Sequence, residues 1–157
     1  MSEIHNTFMR NAIAMSEKGL TNGGGPFGAV IVKDNVVIAS AYNSVTISND
    51  PTAHAEVNAI RLACKTLGTF NLSGCEIYTS CEPCPMCLSA IYWARIEKIF
   101  YANTRADAAN IGFDDLLIYS EIALPMEMRK LPSVQMLNNE ALEVFKNWQQ
   151  SNNKIAY

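Results

Sequence analysis

Two short segments hold most of the residues able to do chemistry: Thr52-Ala53-His54-Ala55-Glu56 and Cys81-Glu82-Pro83-Cys84-Pro85-Met86-Cys87. Thiolate and imidazole are the donors a zinc ion takes, and a catalytic zinc keeps one of its four positions open for water. His54, Cys84 and Cys87 supply three such donors. Pro85 suits the first position of a helix, which makes Cys84 its N-cap, since a residue before proline avoids helical geometry. Cys87, three residues on, then falls on the same face of that first turn. Both sulfurs sit at the positive end of a helix, which favours the thiolate at neutral pH.

Glu56 follows His54 by two residues, and in mid-helix such a pair points to nearly opposite sides. Pro51 and Thr52 predict a helix start here, where both side chains can reach round the terminus. With a neutral imidazole and two thiolates the net charge of a zinc site is zero, which blunts the metal as a Lewis acid. Such a zinc gains from a base beside its water, and Glu56 is the candidate for that base and for the acid that returns the proton. His-x-Glu followed by Pro-Cys-x-x-Cys is the signature of zinc deaminases. Two rival readings stand beside it. Cys81 could close a structural Cys₃His site, which leaves Glu56 without a task. A redox Cys-x-x-Cys pair lacks any thioredoxin-like context.

The elements that must carry these residues can be read from periodicity. Ile4, Phe8, Ala12 and Met15, with Met9 and Ile13, predict a helix over 4–18 that stops at Lys18-Gly19, and His5 is expected on its surface. Gly23-Gly24-Gly25-Pro26 cannot continue it. Phe27–Lys33 and Val36–Tyr42 read as strands joined by a tight turn at Asp34-Asn35. Val57, Ile60, Cys64 and Leu67 mark a helix ending at Gly68. Further strands are predicted over Glu76–Ser80 and Ile96–Tyr101, and helices over Pro85–Arg95 and Thr104–Asn110. Ala141, Val144, Phe145 and Trp148 predict a last helix with Asn139 as N-cap. Cys64 and Cys75 are expected to be buried thiols. Strands alternating with helices indicate an α/β layered domain with a mixed sheet.

The 157 residues suffice for one domain, expected to span 1–157. A net charge of −3 with no basic run disfavours a nucleic-acid partner. No apolar run approaches the length of a membrane span, and the start lacks a secretory pattern, so the expected compartment is the cytoplasm.

Beyond the zinc motif, Gly24-Gly25-Pro26-Phe27-Gly28-Ala29-Val30-Ile31-Val32, Asn49-Asp50-Pro51, Tyr78-Thr79-Ser80, Ala90-Ile91-Tyr92-Trp93-Ala94-Arg95, Gly112-Phe113-Asp114-Asp115, Ile118-Tyr119 and a terminal Tyr157 resemble the bacterial guanine deaminases. These belong to the cytidine-deaminase-like superfamily. The resemblance covers nearly the full length. It implies a three-layer α-β-α fold with a five-stranded mixed sheet, one zinc per chain, and a homodimer. The polar tail ends in Ile155 and Tyr157, which gain from burial, so 150–157 is expected to dock over an active site of the same or the partner chain. The resemblance places the zinc ligands on His54, Cys84 and Cys87 and the proton shuttle on Glu56. A nucleobase pocket falls on Phe27, Asn43, Ala55, Trp93, Asp115 and Tyr157. Phe27 and Trp93 offer flat apolar faces, Asn43 a donor and an acceptor, Asp115 an acceptor for guanine N–H groups, and Ala55 a backbone N–H. Plainer readings remain: Phe and Trp as core, Asp114-Asp115 as a solvated turn. The implied reaction is hydrolytic deamination of guanine to xanthine and ammonia. Alternatives are a zinc deaminase of cytosine, cytidine, guanosine, an aminotriazine or tRNA adenosine, and a noncatalytic zinc-stabilised binding module.

Overall fold

The structure is a computed structural model that describes residues 3–156. It contains two compact units, Met1–Asp115 and Leu116–Tyr157. In the first, helix α1 (Glu3–Thr21) precedes strands β1 (Gly28–Lys33) and β2 (Val36–Tyr42). The short helix α2 (Val45–Ser48) and helix α3 (Ala55–Leu67) lead to β3 (Cys75–Cys81). Helix α4 (Pro85–Trp93), β4 (Lys98–Asn103) and α5 (Arg105–Asn110) complete the unit.

The sheet order is β2-β1-β3-β4. β1 pairs antiparallel with β2 and with β3, whereas β3 and β4 run parallel, with α4 as their crossover. Asp34 and Asn35 both take positive φ (50° and 61°), as a two-residue hairpin requires. The mixed sheet is as expected, but it has four strands among the described residues, not five. The chain after β4 turns to helix, and the irregular stretch 132–137 begins at Pro132, which has no N–H to donate, and enters no ladder.

Side-chain alternation along β1 builds one core on each face of the sheet. Val30 and Val32 join Phe8, Ala12 and Tyr78 on the α1 side. Ala29 and Ile31 join Ala55, Ala59, Ala63, Ile77 and Ile91 on the side of α3 and α4. The fully buried face of α3 is thus the alanine row Ala55, Ala59 and Ala63, and the larger Val57, Ile60, Cys64 and Leu67 are only half-buried. Small side chains let this helix lie close to the sheet, and Gly68 ends it in the left-handed conformation, as predicted.

Other expectations shift. α1 runs past Lys18-Gly19 to Thr21, because Gly19 is buried against Tyr42, where a Cβ would come within 2.9 Å of the tyrosine Cβ. His5 is no surface residue: it is half-buried, and its Nδ1 lies 2.6 Å from the Tyr78 hydroxyl. β4 starts two residues later than predicted, since Ile96 N–H bonds to Ile91 O and still belongs to the turn after α4. Cys75 is buried and Cys64 half-buried, both as free thiols.

The second unit holds α6 (Leu116–Ala123), a 3₁₀ turn (Met126–Met128) and α7 (Asn138–Gln150). α7 carries the stripe of Ala141, Val144, Phe145 and Trp148, but its N-cap is Leu137 at φ 51°, and Asn139 lies inside the helix. No helix among the described residues is long and apolar enough to cross a membrane.

Candidate metal centre and nucleobase site

Two helix N-termini converge on the site. His54 is the N-cap of α3 and Cys84 the N-cap of α4, both with extended backbone, and Pro85 takes the first helical position as predicted. Each N-cap carbonyl accepts the first helical bond, His54 O from Asn58 N at 2.9 Å and Cys84 O from Leu88 N at 2.8 Å. Cys87 comes one turn into α4 and is fully buried. The His54 Nδ1 atom is 3.6 Å from Cys84 Sγ and 3.4 Å from Cys87 Sγ. All three donor atoms lie within 4.8 Å of one another, the only such group among the described residues.

The electrostatics fit a soft divalent cation. The Cys87 thiol and the His54 imidazole hydrogen-bond to Cys84 and hold it down at about 4, against the cost of its burial. Cys87 is pushed up, first by that bond to Cys84 and then by burial, so it keeps its proton as the donor. His54 is raised, chiefly by its hydrogen bond to Cys84. The set therefore shares protons around one thiolate, and a metal would take their place. Glu56, the second residue of α3, is 7% exposed. Burial pushes its carboxyl up, and its side chain reaches Cys87.

Cys81 stands outside this group. Its Sγ donates to Thr104 O at 3.5 Å, and burial raises the thiol to about 11. A closed Cys₃His site is therefore not the geometry present.

The GGGPFG segment brings Phe27 and Asn43 together. Asn43 N–H donates to Phe27 O at 3.0 Å, and a Cβ at Gly24 would overlap the Asn43 carbonyl oxygen. Asn43 is buried, and its Oδ1 accepts from Val45 N–H at 3.2 Å. Phe27 meets Phe113 edge-on at 5.0 Å. Ala55 is fully buried in the first turn of α3. Asp115 is raised by burial, lowered by Arg105 and raised again by Cys84, which puts its carboxyl within electrostatic reach of the thiolate. Trp93 ends the helix that Cys84 begins and lines an open cavity of about 370 Å³ with Ser89, Tyr92 and Arg95. Tyr157 lies outside the described residues.

Several supporting residues escape sequence reading. Gly28 N–H donates to the buried Ser80 hydroxyl at 2.9 Å, and Glu82 Oε2 accepts from Arg105 N–H at 3.1 Å. Asn58 reaches back from α3 to Tyr42 O at the end of β2 and to Ala53 O just before His54. None follows a periodicity, because each joins segments remote in sequence or folded back by a loop.

The sequence pattern of the cytidine and deoxycytidylate deaminase zinc-binding region matches residues 2–103. The chain belongs to this family. The chain is 55% identical over 154 residues to a guanine deaminase of Bacillus subtilis (strain 168), covering 98% of this chain and 99% of that one. The solved structure of a Bacillus subtilis guanine deaminase superposes with a TM-score of 0.95 at 54% identity, over 100% of this chain and 99% of that one. A tRNA-specific adenosine deaminase of Aquifex aeolicus is 44% identical over 95 residues, 60% of this chain and 63% of that one. Within this deaminase family, the resemblance to the guanine deaminase extends through the second unit, while that to the tRNA enzyme does not span the chain.

Proposed function

We propose that the chain is a zinc-dependent guanine deaminase that hydrolyses guanine to xanthine and ammonia in purine catabolism or salvage. One observation carries the reading: a buried carboxyl, Glu56, meets a His/Cys/Cys donor set at the ends of two helices. His54, Cys84 and Cys87 would hold one zinc per chain, which when bound lowers the pKa of a water and polarises it toward the substrate. Glu56 takes a proton from the attacking water and passes it to the ring nitrogen beside C2. It then moves a second proton to the amine, which leaves as ammonia. Burial suits Glu56 to this shuttle, because a raised carboxyl holds a proton more readily between transfers.

The pocket assignments complete the reading. Asn43, with Oδ1 held by Val45, donates through Nδ2 to a purine acceptor. Phe27 packs on the base plane, Ala55 N–H orients an oxygen near the metal, and Asp115 accepts from guanine N–H groups, while Trp93 and Tyr157 are assigned to the pocket by the family resemblance alone. The full-length likeness to the Bacillus subtilis guanine deaminase supports guanine over other amidines. The enzyme works in the cytoplasm as a homodimer on a small nucleobase.

The test is ammonia release from guanine, guanosine, cytosine, cytidine, adenine and ammeline by zinc-replete protein. Guanine is expected to give the highest kcat/KM. Preference for cytosine, or for adenosine in tRNA, overturns the substrate, and no release from any of them overturns the enzyme.

A further inference from the structure

Between Asn43 and His54 the chain makes a ten-residue excursion, 44–53, that carries α2 and returns. Its two ends are joined by one backbone bond, Ser44 N–H to Ala53 O at 2.9 Å. A side chain from outside the excursion also joins them. Asn58, one turn into α3, points its Nδ2 at three acceptors: Tyr42 O at 3.0 Å, Ser44 Oγ at 3.0 Å and Ala53 O at 3.2 Å. Two are carbonyls, which only accept, so the nitrogen of the amide must face them. Two N–H hydrogens are shared among the three.

The acceptors are not arbitrary. Tyr42 and Ser44 flank Asn43, and Ala53 precedes His54. The Asn58 backbone N–H also donates to His54 O at 2.9 Å. One residue therefore holds the backbone before the purine-edge donor, the hydroxyl of the residue after it, and the backbone on both sides of the first metal ligand. Ala53 and Asn43 are buried, so bulk water is a poor substitute for the lost donors.

We propose that Asn58 is a positioning residue that sets Asn43 against His54, so that a base held by Asn43 presents its reacting carbon to the metal centre. It touches neither substrate nor metal and acts through both of their holders. This rests on the guanine deaminase reading above for its substrate, but its effect on His54 does not.

The experiment uses full-length, zinc-loaded protein. Asn58→Leu keeps the side-chain volume and removes both donors, and Asn58→Thr keeps a single donor. Each is made alone and in an Asn43→Ala background. Asn58→Leu is expected to raise KM for guanine ~10-fold with kcat changed less than ~3-fold, and Asn58→Thr to fall between it and the parent. In the Asn43→Ala background either change should add less than ~2-fold, because the residue through which Asn58 acts is gone. A structural role alone would give independent, multiplicative losses. A KM unchanged by both variants, or full multiplicativity, overturns the proposal. If Asn58→Leu does not fold, the Asn58→Thr cycle decides by the same criteria. A second measurement needs no substrate: zinc release to a chromophoric chelator should quicken several-fold in the Asn58 variants, and an unchanged rate refutes the link to His54. A parent enzyme that prefers cytosine would remove the substrate reading and leave this measurement standing.

Discussion

Replacing Glu56 with glutamine separates the metal from the chemistry. The side chain is 7% exposed, lies beside Cys87, and is not one of the three donors grouped around His54 Nδ1. Glutamine keeps its length and an accepting oxygen but cannot carry a proton. General acid–base catalysis is worth typically ~10²- to ~10⁴-fold. At 1.36 kcal/mol per decade, that is about 2.7–5.4 kcal/mol of transition-state stabilisation. The variant should therefore lose at least ~100-fold in kcat for guanine while binding as much zinc as the parent. Stability should move the other way. Burial raises the Glu56 carboxyl in the folded state, so above its ordinary range near 4.5 the fold holds a proton that the unfolded chain releases. That contribution to stability falls as pH rises through this window, and glutamine abolishes it. Melting curves of Glu56→Gln and parent, matched for zinc, should show the variant equal or higher at pH 7.5, with the gap closing toward pH 4. Xanthine formation by absorbance and zinc by mass spectrometry complete the test. Turnover within tenfold of the parent at full zinc occupancy would refute the assignment of Glu56 as shuttle.

Asp115→Asn should lower kcat/KM for guanine at least ~10-fold with the melting temperature nearly unchanged, because it removes an acceptor but no core contact; equal kinetics would take Asp115 out of the site. Gly28→Ala should cost about 1–3 kcal/mol, since its Cβ would overlap the Ala12 carbonyl oxygen and lie 2.5 Å from Ser16 N, both in α1 backbone. In calorimetry that lowers the melting temperature by several degrees, and an unchanged value would mean that α1 yields freely. Deleting residues 153–157 should sharply lower kcat/KM for guanine and leave zinc content intact; full activity in the shortened chain would remove this segment from the mechanism.

Local rules carried much of the fold. Asp34-Asn35 reads as a hairpin because two left-handed residues match strand twist, and Pro85 fixes the start of α4 whatever packs on it. The donor set was legible for the same reason: His54 and Cys84 are N-caps, positions the flanking prolines and helical patterns mark in sequence. What failed was tertiary. α3 was oriented by its larger side chains, but the sheet lies closest to its alanines, since close approach selects small residues over apolar ones. His5 looked like a surface polar residue because its partner Tyr78 is 73 positions away. The fifth strand came with the family resemblance, and nothing in the spacing of residues 104–137 required it.

The His54 imidazole does not cap α3, whereas the Cys84 sulfur accepts from Cys87 N–H in the first turn of α4. The opening turns of α3 and α4 are also joined to each other, through His54 Nδ1 and the two cysteine sulfurs. A divalent ion there would act as a shared clasp on the two helix starts. Deuterium uptake by the amides of residues 56–57 and 86–87 should slow together on metal loading and quicken together on chelation. The backbone thereby becomes a gauge of site occupancy that can be read without any substrate.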